Sequence, residues 1–245
     1  MPHLNYKELT TRRRPHFQPL DATLFVTFRL ADSIPKSTVR YYRAKLEWLR
    51  DQWCRVEKLA ADAESDRNTK WLGDIEKLNR EWFIKCEDIL HKERVGPTWM
   101  RDPRIADKVA ENLHRLDGDA YRLDAFSIMS NHVHTVFRPL VSSELMEEIL
   151  RSQDDSLARI PALSKIMHTL KGRSARECNL ILGRSGPFWE HESFDHVIRD
   201  GKFHKTIRYV LNNPVKIGVV RNWEDYRWNY CRKELIERFR MSDML

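Results

Sequence analysis

Two histidines one residue apart, His132 and His134, follow a polar Ser130-Asn131 step in the stretch AFSIMSNHVHTVFR, residues 125–138. From His132 to Phe137 the chain is β-branched and aromatic and runs up to Pro139, the composition of a strand. Side chains alternate across a strand, so the two imidazoles share one face, about 7 Å apart by the strand rise, while Val133 takes the other. Such a pair can converge on one metal ion. Two histidines on a half-buried strand are also common structural residues, satisfied by each other and by water. A nucleotide hydrolase of the triple-histidine type would carry a third His at the next alternate position, which is Val136. The motif marks a candidate site and leaves the chemistry open.

A second candidate lies 75 residues downstream of His134. Residues 202–212 are spaced as a helix, with Phe203, Ile207, Val210 and Leu211 on one stripe and a stop at Asn213-Pro214. Tyr209 falls off that stripe. Asn213 sits one turn on, extending from the same side. A tyrosine with an amide one turn below it, set off the core face, is placed to line a cleft; a plain rim tyrosine has the same pattern.

The elements that must position these residues follow from periodicity. Residues 22–30 (ATLFVTFRL) form a strand with Leu24, Val26 and Phe28 on one face and Phe25, Thr27 and Arg29 on the other. Residues 38–63 and 70–92 have helical spacing with a polar break at 63–69, which suggests a helical hairpin. Trp48, Trp53, Trp71 and Trp82 are expected to be its packing anchors rather than a stacking platform for bases. A further helix spans about 102–116. Strands cover 121–129 and 132–138, and helices cover 142–152 and 164–178. Residues 187–200 read as a strand and turn, with Asp200 a candidate N-cap for the helix after it. The expected organisation is one domain over 1–245. It has a basic arm at 1–20, a helical insertion at 35–116 after the first strand, a catalytic part at 121–230 and a helical tail at 231–245.

With 41% hydrophobic and 32% charged residues the 245-residue chain has a globular composition. No apolar run approaches a membrane span and the first residues are no signal peptide. Cys54, Cys86, Cys178 and Cys231 contain no CxxC pair, which argues for reduced thiols in a cytoplasmic protein and against a zinc ribbon. A net charge of +7 and a pI near 9.3 give a modest bias towards nucleic acid. The cations are most localised at Arg12, Arg13 and Arg14, and at Lys171, Arg173 and Arg176, where only Glu177 opposes them. These six are the candidate phosphate contacts.

Taken together, Asn131-His132-Val133-His134 after an apolar strand, Phe188-Trp189-Glu190 with His196-Val197-Ile198-Arg199-Asp200, and Tyr209-Val210-Leu211-Asn212-Asn213-Pro214-Val215 resemble the single-tyrosine HUH transposases, and most closely their REP-associated tyrosine transposase branch. The resemblance covers 22–30 and most of 121–230. The helices of 38–92 and the tail beyond 231 are longer than that pattern. It implies an α+β fold, with a ferredoxin-like HUH core of antiparallel sheet and packed helices carrying a long helical insertion after the first strand. It implies that His132 and His134 hold a divalent metal, Mg²⁺ or Mn²⁺, with Asn213 as a third, polar ligand. Tyr209 would then be the nucleophile, forming a 5′-phosphotyrosine link and a free 3′-OH on single-stranded, hairpin-bearing DNA. The protein would act as a monomer or homodimer with no membrane partner. His191 and His196 do not match the ligand positions and are expected to be structural or DNA-contacting.

Overall fold

The structure, a computed structural model, describes residues 22–59, 64–140, 162–199 and 201–242. The basic arm with Arg12, Arg13 and Arg14, the helix expected at 142–152 and the candidate cap Asp200 lie outside the described residues.

The alternation in β1 (Leu24–Arg29) is resolved as the sequence requires, because both of its faces are covered. It pairs antiparallel with β3 (His132–Pro139), and β3 pairs with β2 (Tyr121–Ile128) through the turn at Met129–Asn131. A short β4 (Phe194–Val197) pairs with the other edge of β1, and β5 (Asn229–Cys231) with the outer edge of β2. The antiparallel order is β4-β1-β3-β2-β5. Its first four strands, joined by helices after β1 and after β3, make the ferredoxin-like split βαβ arrangement. The α+β fold expected from the sequence is the one found.

One sheet face carries Leu24, Val26, Phe28, Leu123, Phe126, Ile128, Val133 and Phe137. It is covered by α3 (Pro103–Arg115) and α4 (Ala162–Ile181). Helix α3 starts cleanly: Asp102 accepts the Arg104 N–H at 2.9 Å and Pro103 occupies the first turn. A register shift between Leu123 and Ala125 lets β2 keep Leu123 and Phe126 on that same face, with Asp124 taken up in the bulge.

The opposite face carries Phe25, Ala125 and Val136 against Ile207, Val210 and Leu211 of α5 (Phe203–Leu211). A four-residue turn of helix, α6 (Asn213–Lys216), continues from it, and Leu235 of α7 (Lys233–Ser242) packs beside it. Helix α5 begins at Phe203, with Lys202 as its N-cap and no side-chain capping bond.

The insertion between β1 and α3 is a pair of long helices, α1 (Lys36–Leu59) and α2 (Glu64–Lys92). The break expected at 63–69 falls largely inside α2, because Ser, Asp and Asn are well tolerated in a first helical turn. The pair has its own apolar cluster of Tyr42, Leu46, Ile75, Leu78, Trp82, Cys86 and Leu90. Trp82 anchors it, stacked on Tyr42 with centroids 4.3 Å apart. Trp48 does not, being 58% exposed: it lies on the outer side of α1, where nothing described covers it.

The C-terminal half of α2 docks on the same sheet face as α5. Phe83 meets Phe25 edge-on at 5.7 Å and stacks on Phe194 at 4.4 Å. Asn131 Nδ2 donates to Leu90 O at 2.9 Å, and Ser130 Oγ donates to Glu93. The chain then leaves α2 through Gly96 at φ +79°. A Cβ there would lie 2.4 Å from Asp32 O, so the close passage of this loop over the β1–α1 turn requires glycine.

A candidate metal centre beside a half-buried tyrosine

Strand register puts His132 opposite Arg29 and His134 opposite Thr27, with the two imidazoles on the α5 side of the sheet. Both side chains are buried, and their Nε2 atoms are 3.0 Å apart. Each ring is held from behind through Nδ1. Asn131 Oδ1 is 2.6 Å from His132 Nδ1, and since Asn131 Nδ2 donates to Leu90 O, the oxygen accepts the His132 Nδ1 proton. That leaves the His132 Nε2 lone pair facing His134. Thr27 Oγ1 is 2.8 Å from His134 Nδ1. A hydroxyl both donates and accepts, so Thr27 supports either His134 tautomer, including the one in which both Nε2 lone pairs point into the same space. Backing of this kind orients metal-ligating imidazoles.

Helix α2 brings two further donors to that space. Glu87 Oε2 is 3.4 Å from His134 Nε2 and 3.7 Å from His91 Nε2, and the ligand atoms of Glu87, His91, His132 and His134 all lie within 4.8 Å of one another. Burial alone would raise the Glu87 carboxyl. His134 and His132 beside it and the Tyr209 hydroxyl overcome that and hold it well below the usual carboxylate range. Burial pushes His132 well down, reinforced by His134 and opposed by Glu87, and lowers His91 against the same carboxylate. At neutral pH His132 and His91 are therefore neutral and Glu87 is a carboxylate, the protonation states that bind metal. Glu87 Oε1, His91 Nε2 and Asn213 Oδ1 are buried with no hydrogen-bond partner among the described residues. Buried polar atoms without hydrogen bonds are uncommon, and their occurrence on Glu87 and His91 of the four-donor cluster, and on Asn213 one turn from Tyr209, fits a cation site.

Tyr209 reaches the same pocket from α5. Its hydroxyl donates to Glu87 Oε2 at 2.7 Å, and its ring lies 5.8 Å from His134 and 5.9 Å from Phe25. Burial raises its pKa, and the Glu87 charge and hydrogen bond raise it further, so the phenol stays protonated. Asn213 Nδ2 donates back to Tyr209 O at 2.9 Å, which turns the amide oxygen towards the side where His91 and the Tyr209 hydroxyl lie.

The structure thus brings His132, His134, Tyr209 and Asn213 together. It does not bring the described members of the expected phosphate contacts to them. Lys171, Arg173 and Arg176 are on α4, across the sheet from the histidines. The Lys171 ammonium donates to the carbonyls of Glu190 at 3.0 Å and His191 at 3.1 Å, and burial, with Arg29 near it, pushes its pKa down to about 7. Arg173 pairs with Glu177 at 3.3 Å, and Arg176 is exposed. Nearer the pocket are Lys205 and Arg208, exposed on α5, and Lys216 on α6, close enough to act on His91. His191 and His196 are not among the four clustered donors.

Glu87 and His91 were not singled out in the sequence. Their signal was present but faint: Phe83, Cys86, Glu87, Leu90 and His91 occupy one helical stripe, so an acid and a histidine stand where an amphipathic helix would place apolar residues.

No family model and no curated protein matches the chain. Among solved structures, one described as the REP-associated tyrosine transposase bound to a REP hairpin is similar, with 12% sequence identity, a TM-score of 0.42, and coverage of 90% of this chain and 82% of that one. The reading of the pocket rests on its own geometry.

Proposed function

We propose that the protein is a metal-dependent endonuclease and strand transferase for single-stranded DNA, with Tyr209 as nucleophile and hairpin or palindromic repeat DNA as substrate. The observation that carries this is the convergence of the buried His132–His134 pair and the Tyr209 hydroxyl on one pocket. His132 and His134 would hold a divalent ion, Mg²⁺ or Mn²⁺, and the unpartnered Asn213 Oδ1 is a candidate further ligand. A divalent ion bound there supplies Lewis-acid polarisation of a phosphate oxygen.

The residues of the chain do the rest. Tyr209 Oη forms a bond to the phosphorus as the bond to the 3′ oxygen breaks, leaving a 5′-phosphotyrosine and a 3′-OH; the phenolic proton leaves the tyrosine and the 3′ oxygen gains one. The phosphodiester energy is retained, so a second 3′-OH can reverse the step and join a new end. Burial and Glu87 both oppose ionisation of Tyr209, so the attack requires added positive charge in the pocket. The bond to Glu87 and the packing on Phe25 fix the direction of the ring.

The test is a denaturing gel of end-labelled hairpin-bearing single-stranded DNA with Mn²⁺, comparing the wild type with Tyr209→Phe. A label that migrates with the wild-type protein alone supports the reading.

One observation favours a second reading. His91 supplies from α2 the third imidazole that position 136 lacks, and three histidines with a carboxylate also suit a metal-dependent hydrolase with a water nucleophile. In that case cleavage would survive Tyr209→Phe, with no covalent product.

A further inference from the structure

The helical insertion is longer than the HUH pattern read from the sequence, and its second helix forms one wall of the pocket. Glu87 and His91 are one helical turn apart on the same side of α2. Phe83 on Phe25, and the Asn131–Leu90 bond, hold that side against the sheet. Glu87 Oε1 and His91 Nε2 are buried without a hydrogen bond among the described residues, His91 Nε2 lying 3.7 Å from Glu87 Oε2. These side chains are only 6% and 11% exposed.

We infer that Glu87 and His91 are direct metal ligands, and that the resulting set of three imidazoles and one carboxylate selects a borderline transition ion of the Mn²⁺, Co²⁺ and Zn²⁺ class over Mg²⁺. This rests on the pocket being a metal centre, as proposed above, and not on which DNA is cleaved.

The donor chemistry carries the selectivity. Mg²⁺ demands oxygen ligands and keeps much of its water, whereas imidazole suits the transition ions. Three nitrogen donors to one carboxylate leave Mg²⁺ little to bind. Distance is compatible with one ion. In a tetrahedral site with bonds of about 2.1 Å the donors lie about 3.4 Å apart, close to the 3.0, 3.4 and 3.7 Å separations here, and the widest, within 4.8 Å, closes with side-chain shifts of about an ångström. The carboxylate has an oxygen to give as well. Glu87 Oε2 accepts from the Tyr209 hydroxyl, while Glu87 Oε1 is buried without a hydrogen bond among the described residues. Glu87 Oε2 already holds Tyr209, so a metal on this carboxylate stands next to the nucleophile, and the insertion becomes part of the reaction centre.

The experiment is a Co²⁺ titration of the chelator-stripped full-length protein without DNA, followed by visible absorption, then by competition with Zn²⁺ and Mg²⁺. The variants are Glu87→Gln and His91→Gln, each checked for folding by circular dichroism. The expected result is one equivalent of Co²⁺ bound by the wild type. Each variant should bind it at least about tenfold more weakly, the lower end of the loss seen even for groups one shell out, with an altered spectrum. Zn²⁺ should displace Co²⁺, and Mg²⁺ in thousandfold excess should not. Wild-type affinity and spectrum in either variant would overturn the assignment of that ligand, and displacement by Mg²⁺ would overturn the selectivity. If Glu87→Gln does not fold, the half-buried His91 position decides alone. A wild type that binds no Co²⁺ overturns the inference and the metal centre together, whereas failure only in the gel assay leaves this inference standing and removes the tyrosine chemistry.

Discussion

The hydroxyl of Tyr209 donates to Glu87 Oε2 at 2.7 Å, and that bond joins the helix bearing the candidate nucleophile to a helix inserted more than a hundred residues earlier. It holds the phenol protonated and directed at the same carboxylate that faces His134. A hydrogen bond to a charged group contributes about 1.5–3 kcal/mol. In metal-free protein, Tyr209→Phe is therefore expected to lower unfolding stability by about that amount, because the ring contacts with Phe25 and His134 persist while the carboxylate loses its donor. Denaturant unfolding with a chelator present measures this. A variant as stable as the wild type would show that the bond does not hold the pocket together.

Thr27 and Asn131 hold the imidazoles from behind. Thr27→Val keeps the shape of the side chain and removes the oxygen. Metal affinity is expected to fall about 10–100-fold, the usual effect of losing such an orienting partner, with the fold intact. Isothermal titration gives the comparison. An unchanged affinity would mean that packing alone orients His134.

Acid should destabilise the metal-free protein in a defined window. Burial lowers His132 and His91 below the ordinary histidine value, so the unfolded chain takes up protons that the folded chain does not. Their contribution is complete above the unfolded value of about 6.5 and is lost as pH falls from there, at up to about 1.4 kcal/mol per pH unit for each group. Glu87 is lowered too, and its contribution disappears only further down, below about 4.5. Unfolding free energies at pH 7 and pH 5 should show the loss, and His132→Asn should make it shallower. A flat profile over that range would contradict the burial of neutral imidazoles.

Lys171 and Arg176 looked alike in the sequence and differ in the structure. The Lys171 ammonium is held by two backbone carbonyls, whereas Arg176 faces solvent. If the strand runs over α4, Arg176→Ala should reduce the salt dependence of single-stranded DNA binding by about 0.7 in log–log slope, and Lys171→Met should leave it unchanged. Fluorescence anisotropy at several salt concentrations separates them. Equal slopes for Arg176→Ala and the wild type would move the DNA path to the α5 side, where Lys205 and Lys216 lie.

The parts of the site that sequence could show are those fixed by local periodicity. Alternation alone put His132 and His134 on one face of β3, and the wheel of α5 set Tyr209 apart from Ile207, Val210 and Leu211. The order of apolar strands and helices gave the insertion after β1, and the α+β core was implied by the motif resemblance. Periodicity could not show what α2 touches. Glu87 and His91 are ordinary residues on a charged amphipathic helix until Phe83 and Leu90 dock that helix against the sheet. The same limit applies to cations: Lys171 has the composition of a phosphate contact, and only its tertiary surroundings show that carbonyls already occupy it. Trp48 was expected inside for its size and is outside, because size does not say which side of α1 faces α2.

The most direct test of the central claim is whether the protein becomes covalently attached to DNA through Tyr209. Hairpin-bearing single-stranded oligonucleotides drawn from the DNA flanking the gene, labelled so that the 5′-phosphate fragment is followed, should be incubated with Mn²⁺ and resolved under denaturing conditions. The expected result is a labelled band at the mass of the protein plus the fragment for the wild type and none for Tyr209→Phe. Cleavage that persists in Tyr209→Phe without any such band would contradict the tyrosine mechanism and assign the pocket to a water nucleophile.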